Sequence, residues 1–264
     1  MKPSWILIGF AAVALAFLAL SGRLFAPSPT DVAADHLTQA EHAAERLEAT
    51  LSERSGDFED EMQGEVSTAY DTTVFHYREA YSIKPSAAIL VRLGRVQLAV
   101  GHIDEARRSF VEALTKWPGT PAAYAGLGDA LFAFGDYRGA IENYRNALWW
   151  QANGVPDPTL HAMDVRLSLA ESFSTLHLPE AAIEEYESVL AARPDDAVAL
   201  TGLFGVLVEK RRWDEALAVL GRLREATADE VAVVALLQNL VSTHPEIELP
   251  DWAAALTGPL PAVP

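Results

Sequence analysis

The sequence predicts an all-α chain, a stack of helix–turn–helix units preceded by one N-terminal transmembrane helix. Three observations predict it. From Ala87 to Ala228 the chain aligns with itself in rows of about 34 residues, the period of a stacked helical repeat. Strand-like alternation is absent and helix formers dominate. Finally, Trp5 to Leu20 contains no charge, and as a helix to Gly22 it spans about 27 Å at 1.5 Å per residue, near the lower limit for crossing a bilayer core.

The rows share a spacing of large, Leu, small and large residues, then Ala, aromatic, Ala and Pro. Row one supplies Leu90, Leu93, Gly94 and Gln97, then Ala106, Phe110, Ala113 and Pro118. Row two supplies Tyr124, Leu127, Gly128 and Leu131, then Ala140, Tyr144 and Ala147. Row three keeps Leu169, Ala170, Phe173, Ala182, Tyr186, Val189 and Pro194; row four keeps Leu200, Leu203, Leu207, Ala216, Leu220 and Leu223. Arg166 departs from the pattern where a large apolar residue is usual, and Phe204 where a small one is usual.

This pattern resembles the tetratricopeptide repeat family, over about half the chain. The resemblance implies a right-handed helix–turn–helix superhelix whose concave side receives a protein or peptide segment. The spacing also has a physical basis. Apolar residues at i, i+3, i+4 and i+7 form one helical stripe, and a unit standing by itself leaves a face bare that a neighbour must cover. Gly94 and Gly128 allow close approach of helices. Gly101 and Gly135 fall where a first helix must end in a left-handed residue. Asp104, Asp136 and Asp214 are candidate N-caps.

In chain order, residues 1–24 are read as a transmembrane signal anchor, in preference to a signal peptide cut after Ser21. Lys2 before the run and a single Arg23 after it favour an extracytoplasmic destination for the rest. The expected location is therefore the cytoplasmic (inner) membrane, crossed once through residues 5–22, with the repeats on the periplasmic side. Residues 25–30 form a Pro-containing linker.

Residues 31–85 hold N-terminal helices. Asp31 is placed to cap the first, and Leu37, Ala40, Ala44, Leu47 and Leu51 form a short seam. That seam is read as packing on the repeats, with membrane-proximal dimerisation as the alternative. From about Asp57 to Pro85 a degenerate repeat is expected. Residues 86–228 are four repeats. Between the second and third the period lengthens by about eight residues within Trp149 to His161, where Pro156 and Pro158 stop a helix. Trp149 is expected in the core. Trp150 is left between a loop anchor for a partner and a plug for the offset. Residues 229–264 are a capping helix starting at Asp229, a short helix from Asp251 and a Pro-rich tail.

The 264 residues carry 37 acidic against 20 basic side chains, a net charge of −17, which argues against nucleic acid and against adhesion to anionic headgroups. With no cysteine, disulfides and thiolate chemistry are excluded. No phosphate loop, no zinc motif and no acid/base pair meets the geometry of catalysis, so no catalytic residue, metal or cofactor is expected. The partner-binding groove is placed on one stripe of the first helices. It holds Val91, Arg92, Arg95 and Leu98, then Asp129 and Phe132, then Asp164 and Glu171, running from basic to acidic. The two arginines have a second reading, as partners of acids in the N-terminal helices. The expected function is that of a tethered scaffold binding another protein, in assembly of a bacterial envelope complex. The alternative is a permanent accessory subunit of a large membrane complex.

Overall fold

The computed structural model describes residues 27–52, 59–227 and 229–256. The expected signal anchor, its flanking Arg23, Gly56 and the Pro-rich tail lie outside the described residues. Among the described residues no helix is long and apolar enough to cross a membrane. The chain divides between Val96 and Gln97 into two compact units.

The first unit contains α1 (Pro29–Ser52), α2 (Glu59–Ile83) and the start of α3 (Ala87–Ala99). A reciprocal capping box opens α1. The Ser28 amide donates to Asp31 Oδ2 at 3.0 Å, and the Asp31 amide donates to Ser28 Oγ at 3.1 Å. Asp31 thus caps from the third helical position, and Pro29 fits the first turn because no hydrogen bond is lost there. Ala33, Ala40, Ala43 and Leu47 are buried, so the packed stripe passes through Ala43 rather than Ala44. These small side chains let α1 lie close along α2, whose Val74, Tyr77 and Ala80 are buried. The α2 helix runs unbroken to Ile83, where a degenerate repeat would place a turn. Across the pair, His36 Nδ1 and His76 Nδ1 share a hydrogen bond of 2.9 Å.

The second unit holds the end of α3, then α4 (Ile103–Lys116), α5 (Pro121–Phe134), α6 (Tyr137–Asn153), α7 (Ala162–Thr175) and α8 (Pro179–Ala192). It continues with α9 (Ala197–Glu209), α10 (Trp213–Ala226), α11 (Glu230–Thr243) and α12 (Asp251–Ala254). Each repeat pairs a first helix (α3, α5, α7, α9) with a second (α4, α6, α8, α10). One turn geometry serves all four. Gly101 and Gly135 adopt φ of 87° and 89°, as the sequence suggests. His177 and Arg211 occupy the matching places at 54° and 56° without being glycine. In every case the next amide donates back to the first helix: His102 to Gln97, Asp136 to Leu131, Leu178 to Phe173 and Arg212 to Leu207, at 2.8–2.9 Å. This closure of the helix end, a Schellman-type pattern, fixes the angle at which each second helix departs.

The caps are only partly those expected. The Asp136, Asp196 and Asp229 carboxylates accept from the amides of Gly139, Ala199 and Ala232, each at 3.0 Å. Asp104 and Asp214 instead sit inside the first turn of their helices, behind the N-cap residues His102 and Arg212. There a carboxylate still favours the helix through the macrodipole, without a capping bond.

Aromatic side chains of second helices set the stacking. An added Cβ at Gly126 would stand 2.3 Å from Phe110, and at Gly202 2.3 Å from Tyr186, so each glycine receives the ring of the preceding repeat. Gly128 receives Tyr144 of its own repeat, at 2.6 Å. Phe204 is tolerated at the place equivalent to Gly128 because Leu220 stands where that repeat otherwise carries an aromatic; both are buried, at 5% and 0% exposure. Arg166 is held by an ion pair with Glu185 of α8. Inside the core, the amide oxygen of buried Gln97 accepts from Ser109 Oγ at 2.6 Å.

The insertion between repeats two and three is braced by itself. Gln151 bonds the backbone of Asp157 at both N and O, and Asp157 Oδ1 accepts from the Thr159 amide and hydroxyl. The array ends on α11, which buries Val233, Val234, Leu237 and Leu240. Beyond it, Trp252 of α12 lies against Gly221 and under the Arg224 guanidinium, 4.9 Å from its ring centre.

Candidate functional site

The candidate groove residues fall into two groups. In the first unit Val91 is buried and Arg95 exposed. Arg92 forms an ion pair with Glu41 of α1. Of the two readings open for the arginines, pairing with the N-terminal helices is therefore the one present at Arg92.

In the second unit Leu98 is half-buried at the end of α3. On α5, the Asp129 carboxylate accepts from the Tyr144 hydroxyl of α6 at 2.8 Å, and Phe132 stands edge-on to Tyr137, with centroids 5.2 Å apart. Burial, and then the adjacent Asp129 carboxylate, raise the Tyr144 pKa far above the ordinary phenol range. On α7, Asp164 accepts from Arg193 Nη1 at 2.9 Å, while Glu171 is exposed. Burial pushes Tyr186 of α8 up to about 12, with Glu171 adding to the shift. Both tyrosines thus stay neutral at physiological pH, and Tyr144 donates to Asp129.

Much of the acidic half of the stripe is therefore engaged within the protein. Asp129 holds a second helix to its first, and Asp164 ties α7 to the end of α8. The stripe opens on α9, where Val198 is 67% exposed and Thr201 and Gly205 are exposed. Nothing lies within 4 Å of a Cβ built at Gly205. Half-buried Leu167 of α7 and Val208 of α9 lie on the same stripe, packed against the core.

The structure corrects the expectation for Trp149 and shows the plug, of the two readings left open, at Trp150. Trp149 is 55% exposed rather than buried in the core. Trp150 is half-buried, and its ring lies where Cβ atoms at Gly119 and Gly154 would be 2.9 Å and 2.8 Å away. The rings meet edge-on, 4.9 Å apart. Trp150 thus fills the offset, and Trp149 is the residue presented outward. Helical phase explains this: α6 extends to Asn153, and position 150 continues its buried face from Ala147.

The sequence reading placed Tyr144 in the repeat signature but missed that its hydroxyl reaches the first-helix acid Asp129. The signal was the aromatic position of the repeat combined with a polar residue on the facing helix. Among the described residues, no group of three or more His, Cys, Asp or Glu is arranged to hold a metal ion.

Comparison with known proteins agrees with this geometry. Two profiles, each described as tetratricopeptide repeat, match residues 91–154 and 177–240. No curated protein matches the chain. Several solved structures share the fold. The crystal structure of MamA is 21% identical, covers 65% of this chain and 95% of its own, and has a TM-score of 0.53. YrrB, described as a TPR protein with an unusual peptide-binding site, is 17% identical over 68% of this chain and 88% of its own, with a TM-score of 0.55. The pilF protein of Pseudomonas aeruginosa is 14% identical, covering 84% and 90%, with a TM-score of 0.60. Residues 91–154 and 177–240 thus match tetratricopeptide repeats, and the all-α stacking is the fold of these structures.

Proposed function

We propose that this chain is a membrane-tethered scaffold, not an enzyme, which holds a segment of another protein on its first-helix face outside the cytoplasm, during assembly of an envelope complex. Tetratricopeptide repeats bind protein or peptide partners, and YrrB is described as having a peptide-binding site. The observation that carries the reading to this chain is the bare surface of α9. Val198, Thr201 and Gly205 lie one turn apart along one face, exposed and uncharged. An apolar residue left 67% open beside small neighbours suits a partner side chain. The tether rests on the uncharged run from Trp5 to Leu20.

The test is co-purification of full-length protein from native membranes, with and without Val198→Asp and Thr201→Arg. Loss of a co-purifying protein at unchanged melting temperature supports the reading. Unchanged co-purification, or recovery of the chain in the soluble fraction, contradicts it. A partner retained stoichiometrically through high salt identifies a permanent subunit rather than an assembly factor.

A further inference from the structure

On the opposite side of the repeats, the second helices border two grooves with apolar floors and arginines in their walls. The first, about 550 Å³, lies beside Arg107, Arg108 and Val111 of α4, with Leu127 and Leu131 of α5 as its floor. The second, about 700 Å³, lies between α6 and α8, bordered by Arg138, Arg145 and Leu178, with Phe173 of α7 in its floor. Phe173 holds the repeat position that Leu131 holds one repeat earlier, so the floors correspond, while Ile141 and Glu142 stand where the first groove has Arg107 and Arg108. Val111 and Leu178 are each 46% exposed beside these floors.

The charges are sorted. Glu112 is taken by Lys116 at 2.8 Å, and Glu180 by Lys210 at 2.6 Å. Arg107 is taken by Asp104 at 3.0 Å. Among the described residues, Arg108, Arg138 and Arg145 form no ion pair with a carboxylate; Arg145 lies over the Phe173 ring at 5.2 Å. In the second groove Glu142 also lines the wall and offsets one of its two arginines, so the excess is one positive charge in each groove, in a chain whose net charge is −17.

We propose that these second-helix grooves dock an acidic amphipathic helix of another protein, separately from the first-helix face. A helix suits a channel between two helices, where its side-chain ridge enters their groove. Apolar residues at i and i+4 would reach Leu131 and Phe173, and flanking carboxylates would meet the arginines, whose planar fork favours them.

The test uses the full purified chain and a labelled synthetic helix of about 18 residues, with leucine at i and i+4 and glutamate flanking them. Saturable binding is expected, weakening strongly between about 50 and 500 mM salt. Arg138→Glu with Arg145→Glu lowers affinity by roughly tenfold or more at unchanged melting temperature, Arg108→Glu has a smaller effect in the same direction, and Val198→Asp has none. Absence of saturable binding overturns the proposal, as does binding indifferent to the arginine reversals or lost in Val198→Asp. Two further results overturn it in favour of other occupants. One is arginine-dependent retention on phosphatidylglycerol vesicles without peptide binding. The other is salt-sensitive self-association, abolished by the double reversal.

Discussion

Two glycines on one helix should respond to the same substitution with opposite signs. Gly202 and Gly205 both lie within α9, so replacing either by alanine removes the same backbone-entropy penalty, about 1 kcal/mol in a helix interior. At Gly205 the new methyl meets nothing within 4 Å, and the full gain should appear as stabilisation of about 0.5–1 kcal/mol. At Gly202 it would lie 2.3 Å from Tyr186 Cζ and 2.5 Å from its hydroxyl oxygen, against an ordinary contact of 3.4 Å or more. Tyr186 is 5% exposed, so its ring has little room to retreat by the required ångström. Overpacking of this kind costs about 1–3 kcal/mol, which outweighs the helical gain and leaves a net loss of up to about 2 kcal/mol. Because repeat arrays can unfold in pieces, the assay is amide exchange read on α9 itself, beside urea denaturation of the whole chain. Tyr186→Leu should then cost less in the Gly202→Ala background than in the parent. Equal effects of the two alanines would mean that the ring is not seated on Gly202, and the stacking described here would be wrong.

Other outcomes follow from the same contacts. His177→Gly and Arg211→Gly should each stabilise by about 1 kcal/mol, seen as a raised melting temperature, because both relieve a left-handed backbone on a side chain with a Cβ. Ala140→Leu and Ala106→Leu, each fully buried, should each destabilise by about 1–3 kcal/mol in urea titrations, more than any surface change. Tyr186, held at about 12 against 10.0 when free, keeps its proton in the folded state after the unfolded chain has lost it. Its contribution is therefore complete below pH 10 and declines as pH rises to 12; Tyr186→Phe should flatten that decline in a pH series of denaturation curves.

The repeat architecture was legible because it is periodic. Apolar residues at helical spacing and turn glycines at Gly101 and Gly135 repeat through the chain, and each row is an independent sample of the same physics. His177 and Arg211 take the same left-handed turn without glycine, and so nothing in the sequence marked them. What else escaped was paired information. Phe204 looks like a defect until it is set beside Leu220, since the sequence shows one large residue too many and the structure shows one aromatic fewer across the contact. Trp149 and Trp150 are adjacent, and an eight-residue change of period hides which one continues the buried face of α6. The acidic stripe was harder still. Asp129 and Asp164 lie where the sequence places them, but their engagement by Tyr144 and Arg193 depends on the second helices. The open part of the face proved to be the uncharged stretch of α9, where neither charge nor aromatic content draws the eye.

The first-helix face of α9 is the surface proposed to receive a protein partner. The most direct test of this proposal is a photo-crosslinking side chain placed at Val198 in the full-length protein, activated in native membranes, with an equivalent probe at Glu184 on the second-helix side of the array. One defined adduct is expected from Val198, of a mass that identifies the captured protein, and none of that mass from Glu184. No adduct from Val198, or the same adduct from both positions, would contradict it.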